Sequence, residues 1–184
     1  MPMWSMLKTT LLFAGVLVLR ASNATADVPV QLQEKSIVIG WTEFRTERST
    51  DKGARERNVI VPYKLIVFVN KEGHVFSQLQ VSNNSAYSNQ SDLDTADEKN
   101  FAHRAVLFDA MAMSVTNSFG GLAGARRITA SLDETLSMCT AMAITGLVGH
   151  GPAKQSTPNG GAVWLIAVKS GPATCSIANS DMRQ

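Results

Sequence analysis

Apolar and polar positions alternate through "KSIVIGWTEFRTERST" (residues 35–50), with Ile37, Ile39 and Trp41 on one side and Val38, Thr42 and Phe44 on the other. Alternation in a run rich in β-branched and aromatic residues predicts a long strand. Beyond Trp41 the first side becomes Glu43, Arg45 and Glu47, so the strand is expected to leave the core for solvent. Gly40 would mark a bulge at that transition. Further on, "KLIVFVNKEGHVFSQLQV" holds two such runs about Asn70-Lys71-Glu72-Gly73. Asn can open a turn and Gly can take the positive φ it needs, so the segment is a hairpin. In its second arm Val75, Leu79 and Val81 are placed inward, and His74, Gln78 and Gln80 outward. Pro62 lacks an N–H and suits a strand start or a sheet edge.

The middle of the chain carries two periods at once. Thr95 and Glu98 have capping-box spacing, and Phe101, Ala105, Phe108 and Ala112 recur at helical intervals. Ser131 and Glu134, with Leu132, Leu136, Cys139 and Ala143, repeat that pattern. Propensity alone would therefore place helices over 95–113 and 131–144. Yet "ARRITASLD" and "MCTAMAITG" also read as strands about a turn at Asp133-Glu134, and "AVWLIAVKSGPATCSIA" as two more about Ser170-Gly171-Pro172. The polar stretches 51–57, 82–100 and 149–161 read as mobile connections.

The first 26 residues have the parts of a secretory signal peptide: Lys8, an apolar run from Thr9 to Leu19, and a small-x-small end at Ala24-Thr25-Ala26. An apolar run of about eleven residues is too short for a membrane span, which needs roughly 17–25. Cleavage is expected after Ala26, leaving 27–184 as a single β-rich domain, secreted or periplasmic. Lys8 and Arg20 would leave with that segment, so 17 basic residues against 15 acidic become 15 against 15. The basic balance of the whole chain is thus no argument for a nucleic-acid partner.

Cys139 and Cys175 are the only cysteines. In an oxidising compartment two cysteines are expected to pair. Met138, Ala141, Met142 and Ile144 around Cys139 read as core, unlike the electropositive setting of a reactive thiol.

Familiar catalytic patterns are missing: no Gly-x-Ser-x-Gly elbow, no His-Glu-x-x-His and no phosphate-binding Gly-Lys-Ser/Thr loop occur. His74, His103 and His150 have no metal-ligand spacing, and no cofactor is implied. Glu43 with Asp133 could be named as paired carboxylates for glycoside chemistry, without any spacing to support the choice. The one constellation with binding chemistry is Trp41, Glu43, Arg45, Arg126 and Arg127. Guanidinium groups grip carboxylate or phosphate, and a nearby aromatic face can stack a sugar. A cross-strand ion-pair face on a solvent-exposed sheet, with Trp41 in the core, accounts for the same residues more simply.

The pattern Trp41-Thr42-Glu43-x-Arg45, Gly124-Ala125-Arg126-Arg127-Ile128, Ser137-x-Cys139 and Thr174-Cys175-Ser176 resembles a group of small exported bacterial proteins of uncharacterised function. The resemblance implies an exported all-β protein with a disulfide and implies no activity. It favours strands over helices in the middle, with one short helix near 95–108 as the exception. The expectation is one antiparallel β-barrel or β-sandwich of about eight strands. Its function would be that of a cell-envelope binding module for a small molecule, a glycan or an envelope protein. An inhibitor working through exposed loops and a hydrolase with an unrecognised site are the alternatives.

Overall fold

A computed structural model describes residues 28–49, 55–83, 86–94, 104–118, 124–147, 152–156 and 162–183. The segment 1–26, read as a signal peptide, lies outside them, as do His103, His150 and residues 51–54, 149–151 and 157–161 of the stretches read as connections, whereas 152–156, read as part of a loop, is a strand. Among these residues a 3-10 turn at Val30–Leu32 is followed by eleven strands. They are β1 (Lys35–Ser49), β2 (Arg57–Val69), β3 (Val75–Asn83), β4 (Ala86–Asp94), β5 (Arg104–Asp109) and β6 (Ala112–Ser118). β7 (Gly124–Leu132), β8 (Cys139–Leu147), β9 (Pro152–Ser156), β10 (Ala162–Ser170) and β11 (Thr174–Ala178) complete the set. Two antiparallel sheets result. Sheet A has the order β4-β3-β2-β1-β10-β9, with β11 also on β1, and sheet B the order β5-β6-β7-β8. The architecture is a sandwich and not a closed barrel.

β1 is long because both its edges are occupied. β2 runs along one, from Lys35–Val69 to Glu47–Arg57. The other edge is shared, first by β11 over Ser36 to Gly40 and then by β10 over Glu43 to Ser49. The irregularity falls between Thr46 and Glu47, not at Gly40. Gly40 keeps its register, and glycine fits there because an added Cβ would lie 2.9 Å from Thr174 Oγ1. Pro62 sits within β2 opposite Thr42, one residue before the β2–β3 ladder begins at Tyr63–Val81, so its missing N–H falls at a ladder end.

The expected hairpin is present between β2 and β3. Asn70 Oδ1 accepts the N–H of Glu72 and of His74, and Gly73 has φ 83°. The helical readings are corrected where the structure describes them. Residues 104–109, 112–118 and 139–147 are strands, whereas 95–103 lie outside the described residues. Period two fits the same residues: Val106, Phe108, Met113 and Val115 are all buried, and Ala105 and Ala112 turn outward. The sharp β5–β6 turn puts Ala110 at φ 48°, a conformation that alanine does not advertise in sequence. Residues 86–94, read as a loop, form an edge strand. Their backbone pairs β3 from Phe76–Asp94 to Asn83–Ala86, and an edge strand needs no alternating apolar pattern to do so.

The core lies between the sheets. Ile37, Ile39 and Trp41 of β1 and Tyr63, Leu65 and Val67 of β2 face Val115, Ile128 and Ala143 of sheet B. Each fully buried aliphatic side chain contributes about 1.5–3 kcal/mol, so this layer supplies the main driving force. Cys139 and Cys175 are joined, with Cα atoms 5.5 Å apart, and the bond ties β8 of sheet B to β11 of sheet A. Met138, Met142 and Ile144, read as core around Cys139, are 70%, 55% and 52% exposed. Within β8 the inward positions are Cys139, Ala141 and Ala143, so the neighbours between them face out.

Gln78 and Gln80, placed outward by the sequence, are buried although they do lie on the outer face. There they are flanked by β2 and β4 and joined to each other by Gln80 Nε2–Gln78 Oε1 at 2.8 Å. The C-terminal segment crosses the outside of sheet A. Ser36 Oγ donates to Ser180 O and accepts from Met182 N, and the Arg183 guanidinium lies over the rings of Phe68 and Phe76. Ile66, fully buried on that face, belongs to this outer layer and not to the main core.

Candidate functional site

The row of inward residues on β1 runs Ile37, Ile39, Trp41, Glu43, Arg45, and its charged end does not reach solvent. The Glu43 side chain is 0% exposed, that of Arg126 7% and that of Arg45 14%. β7 supplies Arg126 from across the core, with Nε 2.5 Å from Glu43 Oε1 and Nη2 3.2 Å from Oε2. Arg45 donates to the same carboxylate from its own strand, Nε at 2.9 Å and Nη2 at 2.6 Å from Oε2. Thr145 Oγ1 of β8 donates to Oε1 at 2.7 Å and lies 3.2 Å from Ser170 Oγ of β10. One carboxylate thus gathers β1, β7 and β8, with β10 behind them.

Tyr63 of β2 completes the cluster. Its hydroxyl accepts from Arg126 Nη2 at 2.9 Å and also from Arg45 Nη2. Trp41 stacks on the Tyr63 ring with centroids 5.2 Å apart and planes 14° apart. The Arg126 guanidinium carbon lies 4.4 Å from the same ring centroid. Trp41 Nε1 is buried without a hydrogen-bond partner among the described residues, which costs about 1–3 kcal/mol relative to a paired donor. Stacking and the burial of the whole indole offset that loss.

The titration behaviour follows from this packing. Burial alone would raise the Glu43 carboxyl, but the hydrogen bond and charge of Arg126, then Arg45 and Thr145, outweigh it and hold the group below its ordinary value. Tyr63 moves the other way. Burial raises it, with Glu43 adding to the rise, against the opposing pull of Arg126 and Arg45. Burial works against the charge on Arg45, while Tyr63 and Glu43 hold its guanidinium above the ordinary value. A carboxylate kept ionised is a weak base, a phenol kept protonated is no nucleophile, and a guanidinium does not exchange protons at working pH. In this arrangement the cluster braces the fold, with one carboxylate bonded from strands of both sheets.

Of the five residues singled out in the sequence, the structure brings together Trp41, Glu43, Arg45 and Arg126. Arg127, next along β7, points to the opposite face and is exposed. The expected strand exit into solvent is corrected, since Glu43 and Glu47 are both buried. Asp133 does not approach Glu43. It closes the β7–β8 turn, with Oδ1 accepting Met138 N at 2.7 Å and Oδ2 accepting the hydroxyls of Thr135 and Ser137. Seven residues along β7 from Arg126, that carboxylate is about 20 Å down the sheet, beyond the spacing glycoside hydrolysis uses. Among the described residues no three His, Cys, Asp or Glu side chains gather as a metal site would require.

Sequence reasoning missed Tyr63, Thr145 and Ser170. Tyr63 was within reach, since it shares the inward period of Val61, Leu65 and Val67 and pairs with Trp41 across the ladder. Thr145 and Ser170 carried no signal, because their role depends on a carboxylate more than a hundred residues away in one case. Arg104 was also missed. It is buried, donating through Nη1 to Ser77 O at 2.8 Å and to Ser77 Oγ at 3.2 Å.

No protein-family model matches the chain, and comparison with curated proteins and with solved structures finds no match. Among the described residues no helix is long and apolar enough to cross a membrane, and the disulfide is compatible with an extracellular or other oxidising compartment.

Proposed function

We propose that the protein is an exported, disulfide-tied interaction module of the cell envelope, acting through the outer face of sheet B and not through the buried Glu43 cluster. One observation carries this reading. β5, β6, β7 and β8 are in register over three cross-strand rows, beginning at Ala105, Leu107 and Asp109. In those rows Asp109 and Arg127 are the only charged residues; the rest are Ala, Ser, Thr, Leu107, Met142 and Ile144. Leu107, Met142 and Ile144 are 44%, 55% and 52% exposed. An ordinary solvated face is about a quarter to a third charged, whereas here two of twelve positions are, with Met142 and Ile144 neighbours on β8 and Leu107 at the other edge on β5. By contrast, Arg45 and Arg126, two of the three arginines first considered for ligand binding, are already bonded to Glu43 and Tyr63, and the third, Arg127, lies on this outer face.

A photo-crosslinking residue placed at Thr129, in the middle of this face, tests the reading in the producing cell. A discrete adduct is expected from Thr129 and none from Asn58, on the opposite sheet. No adduct from Thr129, or the same adducts from both positions, overturns the proposal.

A further inference from the structure

The two charges on the outer face of sheet B are placed for self-recognition. Asp109 is at the β5 end of the third row, and Arg127 is two strands and two rows away on β7, in the first. With strands about 4.8 Å apart and alternate residues about 6.8 Å apart, the two Cα atoms are separated by roughly 17 Å. Ser114, on β6 in the middle row, lies at their midpoint. Both charged side chains are exposed, and neither has an ion-pair partner among the described residues.

We infer that the partner of this face is a second copy of the chain, packed face to face about a two-fold axis over Ser114. The inference rests on the interaction-module reading and names the partner. An axis lying between the two faces and perpendicular to the Asp109–Arg127 diagonal exchanges the ends of that diagonal. Asp109 of each copy then meets Arg127 of the partner subunit, and the contact is made twice, as an isologous interface requires. On a flat lattice of the same spacings Leu107 and Met142 fall over Ala, Ser and Thr positions of the other copy, while Ile144 falls just beyond the Asp109 row, at the rim of the contact. Large side chains therefore meet small ones and do not collide.

Ten of the twelve positions overlap on such a lattice, about 330 Å² per copy, which is below the standard size and in the range of weak, transient contacts. The dimer is accordingly an exchanging one, with its charge pairs setting register more than affinity.

Sedimentation of the chain from Asp27 onward, over about 1–500 µM, tests the inference in the concentration range expected of a small interface. A reversible monomer–dimer equilibrium is expected. Asp109→Arg or Arg127→Asp alone should weaken it at least tenfold, and the double reversal should restore it. Ser114→Cys, lying on the axis, should give a covalent dimer with a short bis-maleimide. A monomer across the whole range, or single reversals that associate like the parent, overturns the inference. If the chain is monomeric yet Thr129 still crosslinks to a different protein in the envelope, the two-fold dimer fails while the interaction module stands. No adduct and no dimer sinks both.

Discussion

Arg126 reaches across the core from β7 to the carboxylate of Glu43 on β1, 83 residues earlier in the chain, with 2.5 Å between Nε and Oε1. Because the carboxylate is fully buried, its value to the fold lies in what would be left behind if it were lost. Glu43→Gln keeps the shape but leaves two guanidinium groups facing a neutral amide. Breaking a buried pair from one side costs about 3–5 kcal/mol, and urea unfolding should show a loss of that size. Arg45→Met should cost less, about 1.5–3 kcal/mol, since Arg126 still neutralises the carboxylate. Losses below about 1 kcal/mol for both would mean an exposed cluster and would reopen it as a binding site.

Acid should attack the same pair. Glu43 titrates below its ordinary 4.5 in the folded protein, so near that pH the unfolded chain binds more protons. Its contribution is complete above pH 4.5 and is lost as pH falls through the lower folded value. Asp133 adds a second window below its own ordinary value. The Thr135 hydroxyl first, then the Met138 N–H, hold its carboxyl at about 2 instead of 3.8. Urea midpoints measured against pH should therefore fall below pH 4.5 and keep falling toward 2. Glu43→Gln and Asp133→Asn should each flatten that slope. Parallel curves for the parent and both variants would show that neither group drives acid unfolding.

The Cys139–Cys175 bond closes a separation of 36 residues and fastens the edge of sheet B to β11. Cys139→Ser should lower stability by about 2–4 kcal/mol with an unchanged circular dichroism spectrum. Hydrogen exchange should rise first in β8 and β11, the strands that the bond joins. Uniform acceleration over both sheets would place its effect wholly in the unfolded chain.

Arg183 provides a separate test on the outer face. Its guanidinium lies 4.6 Å from the Phe76 ring centroid and 5.1 Å from that of Phe68. Two cation–π contacts of about 0.5–1 kcal/mol each predict a loss of about 1–2 kcal/mol for Arg183→Ala. Arg183→Lys should fall between, because the charge stays while the planar stack goes. Equal stability of all three chains in thermal melts would mean that the C-terminal segment covers sheet A without contributing to it.

Much of this architecture could be read locally. The Asn70–Gly73 turn contains its own instructions, since an acceptor side chain and a glycine suffice to close it. The long β1 and the cysteine pairing were legible for similar reasons, one through period two and the other through elimination. The outcome for Phe108 and Ala112 depended on a turn whose alanine at positive φ nothing in the chain announces. Glu43 was assigned to solvent because a carboxylate is costly to bury unless paired, and its main partner is invisible until β7 is laid across β1. Met142 and Ile144 show the converse: an apolar run looks like core even when alternation turns half of it outward.

The sharing of one edge of β1 between β11 and β10 also governs how the chain reaches this state. Ser36 meets Ser180 across 144 residues, and that edge of β1 stays open until the last two strands arrive. Closing so large a loop is slow, and β-rich domains dominated by such contacts fold in about milliseconds to seconds. Throughout that interval β1 exposes a flat, Ile- and Val-rich template to any neighbouring chain. Aggregation in a producing cell should thus be decided before β10 and β11 dock, and anything that hastens their docking should raise yield without altering the stability of the finished protein.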